Sequence, residues 1–199
     1  KYGEKKSEVL NAIAGHHGYW WESQRFASMP WLKSHNTPPY PAVVAANFEA
    51  SWPVVLERFG DEMSADLRAF GERFPSMVGW YATEFTRPPC TFLHGDLRLD
   101  QLFFAVERDD PPVTALDWQV SSIARGAYDV AYFLSQSLAT ETRRACEQEL
   151  ILRYAERLLE HGIHYDAAQL QRDYRLTTAW CFTAMVWPMS RPAIVSAMR

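Results

Sequence analysis

Helical periodicity governs most of this chain, and a short segment typical of β-strands interrupts it once. From about Ser7 to Phe26, apolar side chains recur at spacings of three and four residues, which is the pattern of an amphipathic helix. Similar stripes predict further helices at 48–59, 67–81, 128–138, 141–161 and 166–187. A chain with this pattern is expected to form a mainly helical α+β fold.

Helix boundaries are marked by residues that favour particular backbone conformations. Pro75 is expected to start a new helix or to kink the helix that contains it. Thr140 is expected to cap the helix that follows it, and Gly162 is expected to end that helix. Asp166 and Gln169 form an Asp-x-x-Gln pattern, which predicts a capping box at the start of the last helix.

Three short apolar runs separate the two helical halves. They lie at 90–93, 101–106 and 113–116, and the turn-forming segment 108–112 separates the second run from the third. The runs therefore predict short strands around a β-hairpin. The proline-rich segment Met29–Pro41 predicts a loop, and no repeat, low-complexity tract or flexible linker divides the chain.

Composition places the chain among ordinary globular proteins and excludes several functional classes. Apolar residues make up 48% of the 199 residues, which is enough to bury a substantial core. The 20 basic and 24 acidic side chains give a net charge of −4, so no strong field favours nucleic acid or a membrane surface as a partner. No run of about 18 apolar residues predicts a membrane span.

The placement of cysteine and histidine gives no sign of a metal or disulfide framework. Cys90, Cys146 and Cys181 are far apart and form no Cys-x-x-Cys pair. They are expected to be buried, reduced thiols in a cytoplasmic protein. His16 and His17, on the first predicted helix, are interpreted as packed or solvated residues rather than as metal ligands.

The segment Phe92–Phe104 carries the strongest chemical signal. His94, Gly95 and Asp96 directly follow an apolar strand, Gly95 permits a tight backbone path, and Asp117 ends the last strand of the predicted hairpin. Carboxylates at neighbouring strand ends can share one site, which suits Mg²⁺ together with a proton acceptor. The same spacing is also compatible with two ordinary aspartates in turns.

A longer pattern extends this motif. The His-Gly-Asp triplet at 94–96 is followed by the amide side chain of Gln101 and by Asp-Trp at 117–118. This pattern resembles the catalytic segment of aminoglycoside phosphotransferase-like kinases, a group that includes choline and ecdysteroid kinase-like branches, and protein kinases have the same parts. The segment 126–134 resembles the next part of the family pattern. The resemblance covers most of the chain, with its specific motifs confined to 92–134.

The resemblance implies a kinase that uses ATP and Mg²⁺ to phosphorylate a hydroxyl group of a small molecule. Asp96 resembles the catalytic residue that orients this hydroxyl and takes its proton, and Asp117 resembles the residue that binds Mg²⁺. Gln101 stands where the family carries a metal-binding Asn, on a stem one methylene longer. Arg98 is implied to steady the transferring phosphoryl group; the alternative is a surface ion pair with Asp100.

Other residues of the pattern are implied to support the catalytic loop. His94 belongs to the catalytic motif but is expected to be an architectural hydrogen-bonding residue rather than a base. Asp129 resembles the buried acid that holds the loop through backbone N–H groups, and Gly95 supports the loop conformation. Trp118 stands where protein kinases carry the Phe that follows the metal-binding Asp, and plain packing explains it equally well. Three aromatic residues near the C-terminal end of the sequence are candidate lining residues of the acceptor site, although packing in the helical core is the favoured interpretation of each: Tyr174, Trp180 and Trp187.

The part of such a kinase that grips ATP is missing from the pattern. Related kinases hold the phosphates with a Gly-rich turn and a lysine on a strand. No Gly-x-Gly-x-x-Gly occurs among the nine glycines, and no lysine is predicted on a strand, since Lys33 falls in the proline-rich loop and the other three lysines lie in the first six residues. Residues 1–199 are therefore interpreted as a C-terminal lobe that is inactive alone, and the end at 197–199 carries no stop signal. The alternative is a non-catalytic kinase-like binding or scaffold protein.

Overall fold

The computed structural model describes residues 2–190, and this part of the chain is mainly helical. Within it lie six α-helices: α1 (Tyr2–Trp20), α2 (Tyr40–Phe59), α3 (Ala65–Phe85), α4 (Ala127–Ser137), α5 (Thr140–Glu160) and α6 (Ala167–Val186). Short 3-10 helices lie at Gln24–Ser28, Gly60–Glu62, Leu99–Gln101 and Trp187–Ser190. The expectation for 197–199 falls outside the described residues.

Two small sheets accompany the helices. Their strands, within the same described residues, are β1 (Lys33–Ser34), β2 (Thr91–Leu93), β3 (Leu102–Phe104), β4 (Val113–Ala115) and β5 (Ser122–Ala124). The first sheet has the order β1-β5-β2, with β1 parallel and β2 antiparallel to β5. In the second sheet β3 and β4 pair antiparallel, with Leu102 opposite Ala115. The loop at 94–101 therefore links the two sheets and precedes the β3–β4 pair.

Several helices differ from the predicted boundaries: α2 begins at Tyr40 rather than at 48, and two other helices differ for local reasons. α1 ends at Trp20, earlier than predicted, because Glu22 has a left-handed φ of 47° that a helix cannot continue through. α3 runs through Pro75 as one helix, so the expected helix start at this proline is wrong. Phe74 and Val78 on either side of it are buried, and this packing offsets the hydrogen bond that the proline cannot make.

The predicted helix caps are confirmed in two places and wrong in one. Asp166 accepts a hydrogen bond from the backbone N–H of Gln169 at 2.8 Å and so caps α6. Gly162 has a φ of +77° just after the end of α5, where a left-handed residue stops a helix. Thr140 is not the cap of α5, because the helix starts one residue earlier than predicted and Ala139 takes the cap position without a side-chain hydrogen bond.

The three predicted strand segments each contain a strand, whereas β1 and β5 are not predicted from the sequence. β1 has two residues and β5 has three, which is too short for an alternating apolar pattern to stand out. Lys33 lies on β1, so the expectation that no lysine occupies a strand is wrong. Its side chain is exposed, and among the strands of residues 2–190 its own strand lies at the edge of the sheet, next to β5.

α4 lies at the centre of the helical packing. Every residue from 127 to 134 is buried, and α4 packs against both α5 and α6. α1 packs along α5, and α2 packs against α3. This arrangement places Asp129, in the first turn of α4, and His17, in the last turn of α1, in the interior at 0% exposure.

All three cysteines are free thiols. Cys90 and Cys181 are buried as expected, whereas Cys146 is only half-buried, so the expectation of a buried thiol is wrong there. None of the helices in the described range is long and apolar enough to cross a lipid bilayer.

Two half-buried histidines predict that the fold is sensitive to mild acid. Burial, together with the neighbouring His17 ring, lowers the pKa of His16 to about 4, and burial lowers the pKa of His35 to about 4. The unfolded chain takes up these protons below the ordinary histidine pKa of about 6.5. The stability that these rings contribute is therefore complete above pH 6.5, and we expect about 3 kcal/mol of it per ring to be lost as the pH falls to 4.

Urea unfolding between pH 7 and pH 4 measures this loss. The His35→Phe variant keeps an aromatic ring against Phe85 and cannot titrate. It should show about half of the wild-type pH dependence if the two rings contribute equally. A variant with the full wild-type dependence would contradict the assignment to His35.

Candidate active site

Gly95 gives the loop after β2 a path that other residues cannot follow. Its φ is +88°, and a Cβ placed on it would lie 2.5 Å from the carbonyl oxygen of Val120. The loop is thereby held against the backbone that leads from β4 to β5. Gly95 thus fixes the point from which the side chain of Asp96 projects.

The first turn of α4 holds the same loop from the interior. Asp129 accepts hydrogen bonds from the backbone N–H groups of His94 at 2.7 Å and Gly95 at 2.9 Å. Burial alone would raise the pKa of Asp129, but hydrogen bonds from His17 and Gly95 hold this pKa below its ordinary value. The carboxylate is therefore ionised at neutral pH and can accept all of these bonds.

His94 ties the loop to the end of β4. Its Nε2–H donates to the carbonyl of Leu116 at 2.7 Å, and its Nδ1 accepts from the backbone N–H of Asp96 at 3.2 Å. A carbonyl can only accept and an N–H can only donate, so these partners fix the neutral Nε2–H tautomer. Because both nitrogens are engaged and the ring is 0% exposed, the geometry favours an architectural role over that of a base.

Asp117 follows β4 with a left-handed φ of 60°, a conformation that aspartate tolerates better than most residues. Just before it, the backbone N–H of Leu116 donates to the carbonyl of Gln101 at 2.8 Å. The side chain of Gln119 donates from Nε2 to Asp117 Oδ2 at 3.2 Å. Asp117 is exposed, so its carboxylate is accessible to a ligand.

The two candidate acids meet across the amide of Gln101. Its Nε2 lies 3.4 Å from Asp96 Oδ2 and 3.5 Å from Asp117 Oδ2. The two carboxylate oxygens are therefore no more than about 7 Å apart, which one Mg²⁺ with its water and phosphate ligands can bridge. Residues that are separated along the chain thus form a single cluster.

Arg98 makes both of the contacts considered for it. Its Nε lies 3.2 Å from Asp96 Oδ1, and its Nη2 lies 3.4 Å from Asp100 Oδ2. The guanidinium stays partly exposed beside Asp96, where a phosphate oxygen can take the place of a carboxylate partner. The next residue, Leu99, donates its backbone N–H to Ser137 Oγ at 3.1 Å, so α4 also holds the far end of the loop.

The oxygen donors at this site suit a Mg²⁺ ion that arrives with phosphate. Proteins commonly hold Mg²⁺ with one or two carboxylates and leave its other positions to water and substrate phosphates. Asp117 offers an exposed carboxylate, and the Gln101 amide lies beside it with its NH₂ group facing that carboxylate. Nowhere in the described part of the chain do three or more His, Cys, Asp or Glu side chains form a cage. The exposed Asp117 carboxylate therefore fits a cation whose remaining positions are left to water and phosphate oxygens.

Aromatic rings pack beneath and beside the cluster. The ring centroid of Trp118 lies 4.7 Å from that of His94 and 4.9 Å from that of His16, so packing explains this tryptophan. The three late aromatic residues considered for the acceptor site pack in or against the helical core, as favoured from the sequence: Tyr174, Trp180 and Trp187.

Comparison with known families links this geometry to an established group. The sequence model of the ecdysteroid kinase-like family matches residues 28–166, a range that contains Asp96, Asp117 and Asp129. The chain belongs to the ecdysteroid kinase-like family. Membership confirms the resemblance drawn from the motifs and implies kinase-like phosphotransferase chemistry in general. No curated protein matches this ecdysteroid kinase-like chain.

Two residues of this ecdysteroid kinase-like site are not identified from the sequence. His17, interpreted only as a packed or solvated residue, lies with Nε2 3.2 Å from the Asp129 carboxylate. His17 lies on the same apolar face of α1 as Ile13, which indicates that it is buried. Because a buried polar ring needs a hydrogen-bond partner, this position is the signal that could have identified it. Gln119, which donates to Asp117, carries no signal beyond its position two residues after that acid.

Proposed function

We propose that this chain is the catalytic lobe of an ATP-dependent kinase that transfers the γ-phosphoryl group to a hydroxyl group of a small molecule. The observation that carries the proposal is the convergence of the Asp96 and Asp117 carboxylates across the amide of Gln101. Membership in the ecdysteroid kinase-like family supports the same class of chemistry.

In the proposed mechanism, Asp96 acts on the acceptor. Its carboxylate accepts a hydrogen bond from the acceptor hydroxyl and takes the proton as the oxygen attacks the γ-phosphorus of ATP, whose bond to the bridging oxygen breaks so that ADP leaves. The loop that carries Asp96 is held by Asp129 and Ser137, which keeps the carboxylate in a fixed orientation. Arg98, 3.2 Å from Asp96 Oδ1, supplies a positive charge for the phosphoryl group in transfer.

Asp117 holds the cation in this proposal. A bound Mg²⁺ would neutralise phosphate charge during transfer. Gln119 keeps the Asp117 carboxylate oriented through its hydrogen bond to Oδ2. The NH₂ group of Gln101 faces both carboxylates, so the amide must rotate to turn its oxygen toward a cation.

The grip on ATP is proposed to come from a separate lobe, with residues 1–199 forming the C-terminal lobe. The chain contains no Gly-x-Gly-x-x-Gly sequence. Of its lysines, Lys5 pairs with Glu8 on α1, and Lys33 is exposed on β1. We expect the 199-residue chain alone to bind ATP weakly and to be inactive. The free cysteines fit the proposed cytoplasmic location of the enzyme.

A non-catalytic kinase-like binding or scaffold protein is the second candidate. The observation that favours it is Gln101, whose amide donates to the two acids at the position where related kinases carry a metal-binding Asn. Such a protein would retain the fold and the binding of small ligands but would not turn them over.

A phosphate-transfer screen separates the two candidates. The intact protein is incubated with Mg²⁺ and labelled ATP against a panel of hydroxylated metabolites and antibiotics, with a chelator as the control. We expect label to reach the hydroxyl group of at least one compound, and we expect the chelator to abolish this transfer. Binding of ligands without transfer to any of them would support the second candidate and contradict the first.

A further inference from the structure

A hydrogen-bonded chain of side chains runs from α5 to the catalytic loop through the centre of the protein. The hydroxyl of Tyr154 lies 2.8 Å from His17 Nδ1, and His17 Nε2 lies 3.2 Å from Asp129 Oδ2. Asp129 in turn accepts from the backbone N–H groups of His94 and Gly95. Tyr154, His17 and Asp129 are each 0% exposed, so bulk water does not compete for these bonds.

The partners of His17 decide which of its nitrogens carries the proton. The ionised carboxylate of Asp129 can only accept, so the nitrogen that faces it, Nε2, must be an N–H. In the neutral ring Nδ1 then accepts, and the hydroxyl of Tyr154 donates to it. Burial raises the pKa of Tyr154, so the hydroxyl keeps the proton that it donates. The opposite tautomer would direct a lone pair of Nε2 at a buried negative charge.

Close packing at the start of α4 holds this arrangement together. A Cβ placed on Gly126 would lie 2.3 Å from the hydroxyl of Tyr154 and 2.9 Å from His17 Nδ1. The absence of a side chain at Gly126 therefore lets the beginning of α4 approach both residues. The hydroxyl of Tyr154 is thus packed directly against the backbone from which Asp129 extends.

We propose that Tyr154 is a positioning residue for phosphate transfer: by donating to Nδ1, its hydroxyl fixes the orientation of the His17 ring, and His17 in turn fixes the Asp129 carboxylate against the catalytic loop. The inference rests on the proposed function, because it matters for catalysis only if Asp96 acts on the acceptor. Tyr154 lies on α5, outside the motif segment 92–134, and in this proposal it nevertheless affects the rate of phosphate transfer.

The Tyr154→Phe variant removes only the hydroxyl oxygen and tests this proposal. In the intact protein labelled with ¹⁵N-histidine, we expect the wild-type His17 ring to show a protonated Nε2 and an unprotonated Nδ1. In the variant Asp129 still requires the Nε2–H, so we expect the tautomer to be kept and the unprotonated Nδ1 resonance to shift, because Nδ1 has lost its hydrogen-bond donor. We expect kcat for phosphate transfer to fall about tenfold, while the KM values for ATP and acceptor change by less than about twofold.

Tyr165→Phe is the matched control, because Tyr165 is also buried and its hydroxyl donates to a carboxylate, that of Asp173 on α6. It should lower the melting temperature by a similar amount while leaving kcat and the His17 resonances unchanged. The His17→Gln variant assigns those resonances, since they are absent from its spectrum. In the His17→Gln background, Tyr154→Phe should cause no further fall in kcat, because its effect passes through the histidine.

The outcomes separate this inference from the proposed function. A wild-type His17 that carries its proton on Nδ1 overturns the inference. A folded Tyr154→Phe variant with an unchanged Nδ1 resonance and unchanged kcat overturns it as well, and so does a full further loss of kcat in the His17→Gln background. If the intact protein transfers no phosphate, the proposed function fails and the positioning role fails with it, whereas the tautomer resonances still test the contact between Tyr154 and His17.

Discussion

The Asp96→Asn variant is expected to lose nearly all phosphate transfer while keeping its fold. Asparagine matches the size of aspartate, and its carbonyl oxygen can still face Arg98, but the amide cannot take a proton from the acceptor. We therefore expect kcat to fall by about 10³-fold and the KM for ATP to stay close to the wild-type value. Initial rates measured on the intact enzyme, together with a thermal melt, give both quantities.

The matched control for this variant is Asp100→Asn. Asp100 lies on the same loop and also contacts Arg98, at 3.4 Å, but its side chain is exposed. Its activity should stay within about threefold of wild type. If Asp96→Asn turned over as fast as this control, the assignment of Asp96 as the proton acceptor would be wrong.

The Asp129→Ala variant is expected to show the largest loss of stability. The substitution leaves three donors without an acceptor in the interior: the backbone N–H groups of His94 and Gly95 and the Nε2–H of His17. Removing one member of such a buried network costs about 4 kcal/mol in the free energy of unfolding. Urea unfolding at pH 7 measures this difference, and Asp129→Asn, which keeps one accepting oxygen, should lie between alanine and wild type.

Asp109→Ala controls for the loss of an aspartate as such. Asp109 is exposed in the turn between β3 and β4, and its removal should change the free energy of unfolding by less than about 0.5 kcal/mol. Because the pKa of Asp129 is lowered in the folded state, its contribution is present above the ordinary aspartate pKa of about 4 and is lost at lower pH. Equal stabilities of Asp129→Ala and Asp109→Ala at pH 7 would contradict the role given to the network.

The pairing of Asp96 with Asp117 could be foreseen from local sequence. Each acid closely follows a short apolar run, and the turn at 108–112 brings the last two runs together as an antiparallel pair. The backbone requirement at Gly95 is also a local property. Knowledge of the family then points to Asp129, whose two hydrogen bonds to the loop are seen in the structure.

The partners that come from distant helices could not be foreseen in the same way. Tyr154 and His17 lie on α5 and α1, and nothing in the sequence around either residue shows that both face the start of α4. β5 likewise owes its strand conformation to pairing with β2 and β1 rather than to its own residues. At Pro75, the burial of neighbouring side chains outweighs the local tendency to end a helix.

The segment that connects Asp117 to Asp129 is held in place by contacts along its length. Its middle, Ser122–Ala124, is paired on both sides by other strands, and the carbonyl of Val120 touches the loop at Gly95. The connection therefore acts as a spacer of fixed length, and a residue inserted within 118–126 would shift one acid relative to the other. The exposed turn at 107–112 has the opposite property: it can absorb added length, which makes it the place to attach a fluorescent or affinity label without disturbing the acids.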